Sequence, residues 1–179
     1  MNESSMRAEP STRAATGPVT TSLRALPVGW RSWEFRVLDG EMEIARLDLA
    51  RFRTRGEYEL AGVRYEVARE GLLASRYVLN AGGRVIARTE RESLVPAVLR
   101  VVAQDRQLTL HSRLGLRSAF VIRHGDREIG SARRTSLFRR GFRIDVERGL
   151  PLQLTLFLLV IVLLTWRRRA RAASGSGGG

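Results

Sequence analysis

From Trp33 to Val146 apolar and charged side chains alternate in short stretches. Trp33, Phe35 and Val37 alternate with Glu34 and Arg36; Val63, Tyr65 and Val67 with Arg64 and Glu66; Phe142, Ile144 and Val146 with Arg143, Asp145 and Glu147. A period of two puts every apolar residue on one face of a strand, the mark of an antiparallel sheet with one dry side. The stretch Leu94 to Ala103 is more continuously apolar and contains Pro96, so it reads equally as a short helix or an edge strand. Residues 1–29 lack periodicity and are rich in Ser, Thr, Ala and Pro, which predicts a disordered leader. Residues 172–179 read as a flexible Gly/Ser tail, leaving 30–171 as one domain.

The hairpins repeat. Phe35, Gly40, Ile44 and Ala45 are matched at identical spacing by Tyr77, Gly82, Ile86 and Ala87, and again by Phe120, Gly125, Ile129 and Gly130. The turns Asp39-Gly40, Asn80-Ala81-Gly82-Gly83 and His124-Gly125-Asp126 supply the residue types that tight hairpins need. A unit of about 42 residues holds about four strands, so three units predict about twelve.

The pattern changes after Leu150. From there to Trp166 no residue is charged, Leu156 to Leu164 is an unbroken apolar run, and Arg167, Arg168, Arg169 and Arg171 follow. Pro151 suits the first turn of a helix, where its missing N–H costs nothing. A helix over 150–166 would reach roughly 25 Å, against about 30 Å of bilayer hydrocarbon. If it spanned, keeping the arginines cytoplasmic would send the basic β-domain across the membrane, and the opposite orientation would drag four arginines through.

A barrel offers another place for it. About eight strands fill their own interior and about sixteen leave a channel, so a barrel near twelve has room for one helix about 10 Å across. A helix apolar on every side is what that lumen requires. Burying about ten of its side chains contributes roughly 20 kcal/mol before entropy, more than the usual net stability of about 5–15 kcal/mol. The expected fold is therefore mainly β: a closed antiparallel barrel of about twelve strands around a hydrophobic C-terminal helix. A β-trefoil also has three such units but gives this helix no place. The rival is a single-pass membrane protein in which helix 150–166 spans the bilayer and tethers a soluble β-domain.

These residues resemble the tubby C-terminal domain superfamily, which includes LURP-one-related proteins and phospholipid scramblases, and look like a bacterial branch of it. The resemblance rests on the Phe120–Ile129 hairpin, Leu137 to Gly141, and Leu150-Pro151-Leu152 through Phe157 to Trp166-Arg167-Arg168, and covers roughly residues 30–168. It implies the barrel just described, together with lipid or phosphoinositide binding at a membrane surface. The chain has no cysteine-rich palmitoylation segment, no calcium loop like that of the scramblases and no alignable phosphoinositide pocket, so no ligand residue is carried over.

The chemistry is sparse. Without cysteine, disulfides and thiolate metal sites are excluded. His111 is expected on the outer face of a strand and His124 in a turn, neither beside a carboxylate–nucleophile pair; no catalytic constellation is seen. Asp39, Glu41 and Glu43 crowd one hairpin and could grip a cation, though a solvated turn explains them as well. No Walker, Rossmann or zinc spacing occurs, and no cofactor or small-molecule substrate is inferred.

The net charge is +13, and every one of the 31 basic residues is Arg, which suggests coding bias more than selection for phosphate contacts. Residues 30–149 mix 24 Arg with 16 acids; only Arg167, Arg168, Arg169 and Arg171 form an unbalanced cluster. That cluster is the candidate contact for an anionic membrane surface. The expectation is a non-enzymatic binding module, cytoplasmic or peripheral at the cytoplasmic membrane, since the N-terminus lacks the pattern of a secretory signal. Nucleic-acid binding is the weaker alternative.

Overall fold

The computed structural model describes residues 20–29, 32–49, 55–70, 76–93, 98–104, 106–113, 119–135 and 140–175. It is a closed barrel of twelve antiparallel strands: β1 (Thr20–Pro27), β2 (Glu34–Asp39), β3 (Met42–Asp48), β4 (Arg55–Leu60), β5 (Val63–Glu70), β6 (Arg76–Ala81), β7 (Arg84–Ser93), β8 (Val98–Ala103), β9 (Arg106–Ser112), β10 (Phe120–His124), β11 (Arg127–Arg134) and β12 (Phe142–Glu147). Each strand pairs with its neighbours in sequence, and β1 closes the ring by lying between β12 and β2.

The alternation does what the period of two predicts. Phe35, Val37, Phe142 and Ile144 are wholly buried, while Arg36, Arg143 and Asp145 turn outward. The dry face lines the lumen, and helix α1 (Leu152–Gly175) fills it. From Leu156 to Leu163 every helical residue is 0 % exposed, so strands surround it on all sides. Gly56 on β4 faces the helix closely: a Cβ there would stand 2.5 Å from Leu49 Cδ2 and 3.0 Å from Val160 Cγ1. Among the described residues no helix is long and apolar enough to cross a membrane.

The repeat has a structural cause. In β2–β3, β6–β7 and β10–β11 the ladder slips at the same place, after Val37, Leu79 and Ile122. The residues left unpaired are Ile44, Ile86 and Ile129, and each packs against the core although strict alternation would turn it outward. An extra residue in one strand re-aims a side chain in this way. The barrel thus comprises three units of four strands: β2–β5, β6–β9, and β10–β12 completed by β1.

Three expectations need correction. Thr20–Pro27, assigned to the leader, is strand β1, with Leu23 and Ala25 wholly buried; two neighbouring strands impose an extended ladder on a segment too short and small-residue-rich to announce itself. The segment left open between helix and edge strand contains β8, an interior strand between β7 and β9. Helix α1 does not stop at Trp166 but continues to Gly175, because Arg and Ala are strong helix formers and need no apolar cover outside the barrel. The remainder of the leader (1–19), Pro96, Leu137 and the last residues (176–179) lie outside the described residues.

Candidate functional site: the basic rim where the helix leaves the barrel

Antiparallel connectivity separates the two ends of the barrel. The tight turns, at Gly40, Ala61-Gly62, Gly82-Gly83, Gln104 and Gly125, gather at one end, all with positive φ at those residues. Gly82 and Gly83 both take φ > 0, which a two-residue hairpin of this hand demands. Helix α1 starts at this hairpin end and runs to the opposite rim, where its arginines emerge.

There they meet an aromatic collar. Trp166, on the last buried turn, lies 5.9 Å from Trp33 and 5.5 Å, edge-on, from Phe142. Arginines cover the rings: Arg134 stands 4.7 Å from the Trp166 centroid, Arg140 5.2 Å and Arg167 4.3 Å from that of Trp33. Planar guanidinium groups over indole faces are held by the ring quadrupole. Burial lowers the pKa of Arg134 from its ordinary value, since desolvation disfavours its charged form.

The four arginines of the C-terminal cluster do not act alike. Arg167 is buried at 5 % exposure and its Nη1 donates to Leu49 O at 2.6 Å. Arg169 donates to Ser112 Oγ at 2.7 Å and stands over the Phe120 ring. These two pin the helix to the rim. Arg168 and Arg171 are exposed. The solvent-facing cations of the cluster are therefore Arg168 and Arg171, while two carboxylates of this rim are paired: Glu34 with Arg46, and Glu92 with Arg100.

Trp33, Arg134 and Arg140 were not singled out from the sequence. Trp166, directly before the arginine run, was the available signal. His111 lies on the outer face, bonded to Thr109 Oγ1 at 3.0 Å, as the strand period predicts. Glu43 is engaged by Arg46 at 3.0 Å, and no group of three or more potential metal ligands occurs among the described residues, so the Asp39–Glu43 hairpin brings no cation site together.

No protein-family model matches the chain, and no curated protein or solved structure shows significant similarity to it.

Proposed function

We propose that this protein is a non-enzymatic binding module that docks reversibly on an anionic membrane surface through the rim where α1 leaves the barrel. One observation carries the reading: the exposed arginines Arg168 and Arg171 follow Trp166 on α1 at a rim where Trp33, Trp166 and Phe142 gather and where Glu34 and Glu92 are paired with Arg46 and Arg100. Each arginine near anionic lipid contributes about 1 kcal/mol, so a few give weak, salt-sensitive association. Indole rings beside cations suit the headgroup layer. Membership of the tubby superfamily belongs to the same proposal, since its implied barrel and lipid association agree with this reading, as does a location at the cytoplasmic membrane.

Co-sedimentation with vesicles tests it. Binding is expected to rise with the fraction of anionic lipid, fall with salt, and drop when Arg168→Gln and Arg171→Gln are combined. Equal binding to neutral vesicles, insensitive to salt, would overturn it, since apolar contact and not the arginines would then hold the protein to lipid. Salt-sensitive binding to duplex DNA without binding to vesicles would make the module a nucleic-acid binder instead.

A further inference from the structure

At the opposite, hairpin end an exposed arginine extends an inward-facing row to the mouth of the barrel. Arg106 opposes Ala103 in the ladder, two places beyond the Val101–Leu108 pair, and so shares the inward row of buried Leu108 and Leu110. Its Nη1 donates to Gly149 O at 3.1 Å, which holds the guanidinium against the segment leading into α1. A guanidinium has five N–H donors, so several remain for a further acceptor.

Beside it a cavity of about 200 Å³ lies between the barrel wall and the first turn of the helix. Its apolar lining includes Tyr65, Leu79, Ile86, Ala87 and Leu154, and none of its described lining residues is acidic. Ile86 is there because the ladder slip turns it inward. Exposed Val63 and Val85, at the starts of β5 and β7, add apolar surface to the same rim. Gln104, also on the lining, holds φ +47° as part of the tight β8–β9 turn. Arg106 also borders a second basin of about 430 Å³, whose lining includes Arg148 and Glu147.

We propose that this cavity is a ligand site for a small organic monoanion, with a carboxylate on Arg106 and a compact apolar body, such as a phenyl ring or short alkyl chain, between Leu79, Ile86 and Leu154. Apolar cavities of about 150 Å³ admit benzene, so the space is sufficient. Arginine supplies the planar, paired donors that a carboxylate fits. The site is at the other end of the barrel from the basic rim and stands independently of the membrane reading.

The test uses the full chain, methyl-labelled for NMR, titrated with benzoate and with the neutral analogue benzyl alcohol. Benzoate is expected to shift the methyl signals of Leu79, Ile86, Ala87 and Leu154 and to bind about tenfold more tightly than benzyl alcohol, a charge-dependent difference of about 1.4 kcal/mol. In Arg106→Gln that preference is expected to vanish while benzyl alcohol still binds. In Ala81→Leu, which fills the mouth from a half-buried position, both ligands are expected to bind more weakly. Absence of shifts at these methyls in the wild-type chain would overturn the site. A benzoate preference that survives Arg106→Gln would overturn the anion assignment.

Discussion

Two side chains of similar placement in the sequence have opposite duties, and single substitutions separate them. Arg167 has its hydrogen bond and its indole stacking inside the protein, so Arg167→Ala is expected to cost about 2 kcal/mol of stability, as for a buried bond to a charged group. Arg168→Gln, on the exposed side of the same turn, should lower the melting temperature less than Arg167→Ala and lower vesicle binding. Thermal unfolding and co-sedimentation of both variants measure the contrast; equal destabilisation would dissolve it. Tyr58 makes a further residue-scale case. Its hydroxyl donates to Gln153 O at 2.7 Å, and burial, with the neighbouring Tyr65 adding to it, raises its pKa above the ordinary tyrosine value. The folded state therefore keeps a proton that the unfolded chain releases above about pH 10, so stability is full below that pH and falls as pH rises beyond it. Tyr58→Phe is expected to flatten that alkaline loss at a cost of about 1 kcal/mol at neutral pH, read by urea unfolding across the pH range.

At the scale of elements, Gly56 is one point where β4 lies close against the helix. Gly56→Val is expected to destabilise by about 1–3 kcal/mol, because Leu49 and Val160 already occupy the space a side chain would enter. Most elements were legible beforehand: the β2 and β12 faces from their alternation, the tight turns from their glycines, and the plug from its charge-free run; on β5 only Val67 of the expected apolar face is fully buried, and Val63 is exposed. β1 was not legible, because Leu23 and Ala25 are the only wholly buried residues in a stretch of Thr, Ser and Arg, and its extended form is imposed by the strands on either side. The repeat was visible but its meaning was not, since a ladder slip depends on which residues oppose each other across the hairpin. The basic rim was half legible. A run of arginines announces itself, whereas the rings of Trp33 and Phe142 that gather around it come from opposite ends of the strand order.

For the whole molecule the barrel and its plug are one structure. Val160→Arg, at a position with no exposure, is expected to lower stability by several kcal/mol through desolvation of an uncompensated charge. Removal of residues from Leu150 onward is expected to abolish the cooperative thermal transition altogether, monitored by circular dichroism in the β region. A truncated chain that melts cooperatively with native β signal would show that the strands stand without the helix. The charge distribution has the same global character, with Arg168 and Arg171 far from the Arg106 mouth, so membrane binding and ligand binding should be separable by mutation.

The closing strand β1 is the first of the elements to leave the ribosome and the filling helix is the last. Until β12 is translated the first strand has no partner to close the ring, and until Leu152 and the residues after it follow, the inner faces of the strands have nothing to cover them. The fold is therefore completed only once α1 has been translated. A chain terminated early would present the apolar inner faces of its strands to other nascent chains, and its fate would be aggregation or degradation.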